Sequence, residues 1–484
     1  MSLHRIDPRF ALGAPVRRAV VLGGLDDWRA GLIDTGVEVL SKGTEDRVDL
    51  VVAPAKETST AVACGAPMLI LEGRLPRSVS TAGFHVQRLL ARPDSVSPGL
   101  LLPLEQRQAT SYAIAHWSIV DHRWKLLRRA VAYRLARNGL WPPIGSIVTV
   151  CQNDAVAPAI IDAARALGLP HDVEWVLSLG RGDVLSRNVF HVFRRGEDEP
   201  DWVLKFARVR DYSEPFDRDE RGLELAAAAG GLVAAHAPRL LGRFTWNGIH
   251  ASVETAGRGY RLRELLTSPL RRREKLQLID TVASWIVAIG SETASSHDGL
   301  TAERERLLKD VVQRWTDEGA SASLVVELPD LPPVLQHNDL GSWNVIVRDS
   351  DFTVVDWESS RRHGLPLWDL FYFLADSLAL LDGETAGDTR HVHTTALFRG
   401  EAASSEILFR WTRAAVSALA VPPETVGSLA TLCWLHHSLS HVHRRDPLDR
   451  FAPTSHLRLH GTELVAPAWL ADPVLGPNWD RWRR

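Results

Sequence analysis

Short, mostly apolar runs alternate with helix-like stretches at the start of the chain. Such runs lie at 19–22, 48–52 and 68–71, and each is followed by polar residues or glycine. Apolar strands that alternate with helices are typical of a parallel sheet covered by helices. The pattern predicts a small Rossmann-like α/β domain over residues 1–111. Its first turn lacks the G-x-G-x-x-G spacing of dinucleotide sites, so packing or protein-partner binding is its preferred role.

Apolar residues recur at helical spacing between residues 112 and 141, among them Trp124, Leu127 and Val131. This spacing predicts one long helix within a helical connector over residues 112–172. The opposite face carries arginines and a lysine. A basic amphipathic helix can lie on a membrane or bind a phosphorylated partner. The preferred interpretation is a solvated basic face on a helix that joins two domains.

The pattern changes after residue 172. Three strand-like runs, at 175–179, 188–193 and 202–206, are separated by turn-rich segments, which predicts an antiparallel sheet. Helical spacing dominates the rest of the chain, apart from one hairpin-like segment. We therefore predict an α+β, protein-kinase-like pair of lobes. The antiparallel N-lobe spans 173–258, and the helical C-lobe with its C-terminal tail spans 259–484.

Composition narrows the choice of partners and compartment. The 484 residues carry a formal net charge of -3, with both signs mixed along the chain, so nucleic acid is not an expected partner. The three cysteines, Cys64, Cys151 and Cys433, form neither a close pair nor a disulfide framework. No apolar run approaches the length of about 18 residues that spans a bilayer. We expect a cytoplasmic protein without a transmembrane segment.

The segment 335–347 contains the spacing H-x-D-L-x-x-x-N, which is that of a kinase catalytic loop. Phosphoryl transfer needs an oriented nucleophile and metal ions that neutralise phosphate charge. Asp339 is the candidate base that takes the proton of the acceptor hydroxyl. Asn344 offers an oxygen ligand for Mg²⁺. His337 is expected to hold the shape of the loop.

A hairpin follows the catalytic loop. Apolar residues at 345–347 and 352–355 flank a polar turn, and the second run ends at Asp356. Because a hairpin brings its two ends together, Asp356 is expected to return to the metal that Asn344 binds. The competing interpretation is a hairpin with solvated carboxylates at its open end.

These motifs resemble the aminoglycoside phosphotransferase, choline kinase and homoserine kinase superfamily. The resemblance rests on His-Asn-Asp-Leu-x-x-x-Asn followed by Val-Val-Asp-Trp-Glu, and it covers about residues 174–445. The segment 364–370 is similar to that family's Gly-x-Pro-x-x-Asp-Leu element, in which the aspartate, here Asp369, braces the catalytic loop. The His-Arg-Asp and Asp-Phe-Gly motifs of protein kinases do not occur.

The resemblance also implies nucleotide-binding residues in the N-lobe. Lys205, within an apolar strand, would reach the α- and β-phosphates of ATP, and a helical glutamate would position it. Glu220 is the preferred partner and Glu224 the competing one. An edge-strand charge without such a role is the alternative for Lys205.

A glycine-containing turn at Gly180 and Gly182 would cover the phosphates, and Ser186 would donate a hydrogen bond to one of them. Tight turns favour glycine for many reasons, so this evidence is weak by itself. Glu254 lies in the segment 251–257, which looks like the linker between lobes that meets the adenine.

Four histidines, His436, His437, His441 and His443, cluster near the end of the helical lobe. Two of them lie one helical turn apart, but no H-E-x-x-H glutamate accompanies them. Packing in the lobe, or lining of the acceptor cleft, is preferred to a metal site.

Together these observations predict an ATP- and Mg²⁺-dependent phosphotransferase. Its acceptor would be a hydroxyl of a small molecule such as an aminoglycoside, an amino alcohol or a sugar. One alternative is a catalytically inactive kinase-like nucleotide-binding or scaffold protein that acts with its N-terminal domain, through which a protein partner could bind. Another is nucleotidyl transfer on the same fold.

Overall fold

The chain is described by a computed structural model over residues 8–34, 36–43, 46–73, 83–92, 99–116, 123–140, 146–153, 157–179, 185–295, 297–385, 389–439 and 461–483. It divides into two compact units. Unit 1 comprises Met1–Ile119, Arg123–Phe216 and Leu240–Ala256, and unit 2 comprises Val120–His122, Asp217–Arg239 and Gly257–Arg484. None of the described helices is long and apolar enough to cross a membrane.

Unit 1 is built on one twelve-stranded sheet with the strand order β11-β12-β10-β9-β8-β6-β5-β7-β4-β3-β1-β2. The strands β1 to β4 pair in parallel with one another, and all other pairs are antiparallel. The strands are β1 (Arg18–Val21), β2 (Glu38–Leu40), β3 (Leu50–Pro54), β4 (Met68–Glu72), β5 (His85–Arg92), β6 (Gly99–Pro103), β7 (Ser146–Gln152), β8 (Val173–Leu179), β9 (Asn188–Arg194), β10 (Trp202–Phe206), β11 (Leu240–Trp246) and β12 (Ile249–Thr255).

Five described helices accompany this sheet. Strands β3 and β4 are buried along nearly their whole length, as expected of parallel strands covered on both faces. The helices are α1 (Asp26–Asp34), α2 (Thr58–Ala63), α3 (Arg107–His116), α4 (Arg123–Arg137) and α5 (Ala159–Ala163). The three parallel strands predicted from the sequence are thus present as β1, β3 and β4.

Two predictions for this part of the chain are corrected. A single helix over 112–141 was wrong, because Ala136 of α4 packs in the same core cluster as Ala113 of α3, which one continuous helix would not allow. A wholly helical connector over 112–172 was also wrong, because β7 pairs with both β4 and β5. The β-branched residues of β7 favour an extended strand over a helix. The N-terminal α/β part and the predicted N-lobe also share one sheet, through the pairing of β6 with β8.

Unit 2 is mainly helical, as the sequence predicted for the C-lobe. Helix α12 is buried on nearly every side and is mostly apolar, apart from Asp369, Asp376 and Ser377, which is typical of a central helix. The helices are α6 (Glu214–Ala229), which begins in unit 1, α7 (Gly231–Ala235), α8 (Leu262–Thr267), α9 (Arg272–Thr293), α10 (Thr301–Arg306), α11 (Ser323–Val326), α12 (Trp368–Leu381), α13 (Arg390–Arg399), α14 (Ser405–Ala418), α15 (Val426–His437) and α16 (Val465–Leu470).

Two small sheets complete unit 2. One has the order β13-β15-β16, and the other pairs β14 with β17. Their strands are β13 (Tyr260–Arg261), β14 (Val334–Gln336), β15 (Val345–Arg348), β16 (Asp351–Val354) and β17 (Arg361–Gly364). The C-terminal tail packs on this unit, since Trp469, Trp479 and Trp482 are all buried.

Candidate active site

The predicted catalytic loop connects β14 to β15 and is fixed at its start by Asp369. The Asp369 carboxylate accepts hydrogen bonds from the backbone N–H groups of His337, at 2.7 Å, and Asn338, at 2.8 Å. Asn338 adopts a left-handed conformation with φ of 62°, which turns the chain sharply before Asp339. Burial raises the pKa of Asp369 to about 6, although the two donors lower it. The expectation that Asp369 braces the loop is confirmed.

Two further contacts hold the loop. The Asp376 carboxylate accepts a hydrogen bond from the backbone N–H of Ser342 at 2.8 Å and pairs with Arg390. The Nε2 atom of His337 lies 3.0 Å from the carbonyl oxygen of Val355, and its ring meets Trp357 edge-on. His337 therefore ties the loop to the end of the hairpin, as a shape-holding residue would.

Asp339 lies within a crowded group of polar side chains. The side-chain amide of Asn344 donates to the Asp339 backbone oxygen at 2.9 Å and to its carboxylate at 3.1 Å. Desolvation raises the pKa of Asp339 well above its usual value, and the neighbouring carboxylates of Asp356 and Glu358 raise it further. Hydrogen bonds from Asn344 and Trp343 oppose this shift. A carboxylate with a raised pKa is better suited to accept a proton near neutral pH.

The predicted hairpin is confirmed, and its open end brings Asn344 and Asp356 to neighbouring positions. Val345 of β15 pairs with Val354 of β16. The backbone N–H of Val355 then donates to the carbonyl oxygen of Asn344 at 2.8 Å. Asp356 follows directly and adopts a left-handed conformation with φ of 69°.

The chemistry of these donors fits a hard divalent cation. Asn344 offers an amide oxygen, while Asp356 and Glu358 offer carboxylates. Among the residues that the structure describes, no group of three or more His, Cys, Asp or Glu side chains is arranged to hold a metal ion. Magnesium commonly uses only one or two carboxylates and completes its shell with water and substrate phosphates. A site of one amide and one or two carboxylates is therefore compatible with Mg²⁺ bound together with a nucleotide.

Helix α6 packs closely against the turn that follows Asp356. A Cβ atom on Gly222 would lie 2.0 Å from the carbonyl oxygen of Trp357, so only glycine allows this approach. Nearby, the Arg218 guanidinium lies 3.8 Å from the Glu358 carboxylate. The turn that carries the candidate metal ligand is thus supported by a helix backbone.

Unit 1 contains the lysine predicted to bind nucleotide. Lys205 lies in β10, and its Nζ atom is 3.0 Å from Oε1 of Glu254 in β12, with both side chains buried. Glu254, expected in an interlobe linker, is thus a strand residue, and the boundary between the units falls just after it, between Ala256 and Gly257. Glu220 belongs to unit 2, and its pairing with Lys205 stays a prediction.

The remaining predicted N-lobe residues are placed only in part. Ser186 lies two residues before β9. Gly180 and Gly182 lie outside the described residues, and so does the turn they were predicted to form.

The described part of the histidine cluster packs within the helical unit. The His437 ring stacks on Tyr372 with 3.9 Å between ring centroids, and burial lowers the pKa of His437 to about 3. The Nε2 atom of His436 lies 3.1 Å from the side-chain amide of Asn338. His441 and His443 lie outside the described residues. These contacts support packing as the role of His436 and His437.

Comparison with known families agrees with this geometry. Residues 184–398 match the phosphotransferase enzyme family, APH. The resemblance drawn from the catalytic-loop and hairpin motifs is thereby confirmed. Among curated proteins, none matches the chain.

Solved structures with some similarity to this chain include three kinases. An amicoumacin kinase, hAmiN, in complex with AMP-PNP, Ca²⁺ and Ami is 12% identical, with a TM-score of 0.30 over 63% of this chain and 96% of that one. A glucosamine kinase with glucosamine, ADP and inorganic phosphate is 14% identical, with a TM-score of 0.33 over 60% and 83%. The bifunctional kinase-methyltransferase WbdD is 12% identical, with a TM-score of 0.28 over 87% and 88%. Scores this low give no weight to any functional inference.

Several residues of the candidate site were not assigned from the sequence. Asp376 was given no role from the sequence, but its carboxylate holds the catalytic loop through the backbone N–H of Ser342. It lies seven residues after Asp369, on the same face of α12, and this spacing could have indicated a shared target. Glu358 was not recognised as a neighbour that raises the pKa of Asp339. The contacts of Trp343 and Arg390 carry no sequence signal, because they depend on packing between distant segments.

Proposed function

We propose that the chain is an ATP- and Mg²⁺-dependent phosphotransferase that phosphorylates a hydroxyl of a small molecule. The observation that carries this proposal is the environment of Asp339 within the APH region. Asn344 orients this carboxylate, and two neighbouring carboxylates help to raise its pKa. Phosphoryl transfer requires a base that orients the acceptor hydroxyl and, beside it, an oxygen that can bind a cation.

In the proposed mechanism Asp339 accepts the proton of the acceptor hydroxyl and directs its oxygen toward the γ-phosphate. Asn344 and Asp356 would hold Mg²⁺, which would supply positive charge to neutralise the phosphates. Lys205 binds the α- and β-phosphates, and Glu254 limits the directions in which its ammonium group can point. Glu220 remains the proposed helical partner of Lys205. The acceptor is an aminoglycoside, an amino alcohol, a sugar or a related metabolite.

The site is tested first by thermal unfolding with and without ATP and Mg²⁺, because this needs no acceptor. Nucleotide at about 100 times its Kd adds about 2.7 kcal/mol to the free energy of unfolding. We expect this gain to require the metal, and Asp356→Ala to lose the metal-dependent part. Asp351→Ala is the matched control, because Asp351 is an exposed carboxylate at the closed end of the same hairpin. If neither ATP nor Mg²⁺ shifts the transition of the wild type, the scaffold alternative replaces the kinase.

In a second experiment, hydroxylated small molecules are screened as acceptors by measuring the ADP that is released. A product whose mass increases by one phosphate group supports a kinase, whereas addition of a nucleotide would indicate nucleotidyl transfer.

A further inference from the structure

Helix α4 concentrates positive charge. Its sequence, RWKLLRRAVAYRLAR, holds six basic residues and no acidic residue in 15 positions. The whole chain has 56 basic and 59 acidic residues, so this helix departs strongly from the average. One of the six, Arg137, forms an ion pair with Asp198. The helix is therefore a local cationic surface on a chain with a small net negative charge.

Three large apolar side chains of α4 are exposed. Trp124 is 57% exposed, Leu127 69% and Val131 48%. Their spacing of three and four residues places them in one stripe along the helix. The buried side of α4 is marked by Ala136, which packs in a core cluster with residues of α3. The apolar stripe, expected from its spacing to be the inner face, is thus the outer one.

Basic side chains flank this stripe. Arg128 and Arg134 are exposed and lie on either side of Leu127 and Val131 around the helix. The ammonium group of Lys125 lies 5.8 Å from the centre of the Trp124 ring. The outer face of α4 therefore combines an apolar ridge with cationic edges.

We propose that α4 binds the surface of an anionic membrane. An amphipathic helix that carries Trp and Leu on one ridge and arginines along its edges buries the ridge at the headgroup boundary and places the arginines among lipid phosphates. The phosphates of a nucleic acid would pair with the arginines but would leave the apolar ridge exposed to water, so nucleic acid fits this surface less well. A groove in an acidic protein, or a second copy of this chain, is the competing occupant. The inference does not depend on the phosphotransferase activity.

The test is sedimentation of the full chain with vesicles of phosphatidylcholine alone or with 30 mol% phosphatidylglycerol added. We expect binding to the anionic vesicles, weak binding to the neutral ones and release at high salt. The double variant Leu127→Ser, Val131→Ser should lower the partition coefficient at least about tenfold. Arg128→Glu with Arg134→Glu should lower it at least about tenfold as well.

Matched controls separate this surface from general effects. Val326 and Val392 are exposed valines in unit 2, and their double change to Ser should leave vesicle binding unaltered. Arg273→Glu with Arg314→Glu is the corresponding charge control, since both arginines are exposed in unit 2. Circular dichroism shows whether each variant is folded.

Three results would overturn the proposal. One is equal affinity for neutral and anionic vesicles. Another is equal loss of binding in the α4 variants and their controls. The third is concentration-dependent self-association, seen by analytical ultracentrifugation and abolished by Leu127→Ser with Val131→Ser, in a chain that does not bind vesicles. That outcome would assign the stripe to a contact between copies of the chain.

Discussion

Charge is arranged in opposite ways in two regions of this molecule. In unit 1, buried Lys205 meets buried Glu254 at 3.0 Å, so a cation and an anion compensate each other. In unit 2, Asp339 lies close enough to Asp356 and Glu358 for both to raise its pKa. The first region is balanced by its own side chains, whereas the second accumulates carboxylates.

The difference indicates what each region is organised to do. A compensated buried pair depends on both partners, because removal of one leaves a charge in a low-dielectric environment. Crowded carboxylates repel one another, and a bound cation relieves that repulsion. The same kind of change, a carboxylate to its amide, should therefore destabilise one region and stabilise the other.

The largest effect is expected for Asp339→Asn, which removes the proposed base. Removal of a general base typically lowers turnover 10²- to 10⁴-fold. We expect a loss of about 10³-fold in phosphotransfer to an accepted hydroxyl compound, measured as ADP release. The ATP- and Mg²⁺-dependent thermal shift should persist, which separates loss of catalysis from loss of binding. Asp351→Asn, at the closed end of the hairpin, is the control and should remain active.

The second largest effect is expected on the stability of the fold, for Glu254→Gln in unit 1. Breaking the buried pair with Lys205 should lower the free energy of unfolding by about 3 kcal/mol, measured by urea denaturation. The double variant Lys205→Met, Glu254→Leu removes both charges and should recover most of this loss. A single variant as stable as the wild type would show that Glu254 is not the stabilising partner of Lys205.

The smallest effect concerns stability and pH in unit 2. The pKa of Asp339 is higher in the folded state than in the unfolded state. Ionisation of Asp339 therefore lowers the free energy of unfolding as the pH rises from the unfolded-state pKa to the folded-state pKa. In metal-free buffer, Asp339→Asn should therefore be more stable than the wild type at pH 8, and the difference should shrink toward pH 4. Denaturation midpoints across this range measure the difference. A gain independent of pH would contradict the raised pKa as its cause.

Sequence analysis reached the parts of the site that depend on local spacing. One loop and one hairpin determine the arrangement of four predicted site residues, which lie within about twenty residues of one another. These are His337, Asp339, Asn344 and Asp356. Asp369 was found because it belongs to a recognisable short motif.

Features that depend on distant pairing were missed. Strand β7 lies between β4 and β5 in the sheet, but β4 lies more than seventy residues before it. The Lys205–Glu254 pair likewise requires the register of β10 against β12. The exposure of Trp124 depends on which face of α4 meets α3, and a helical period alone does not determine this.

The missing side chain at Gly222 has a mechanical consequence. With the backbone of α6 against the Trp357 carbonyl, no deformable side chain separates the helix from the turn that carries Asp356. We therefore expect helix and turn to shift together within unit 2, so that a displacement of α6 would be passed on to Asp356. The position of this one helix would therefore decide whether Asp356, the proposed metal ligand, lies correctly placed beside Asn344.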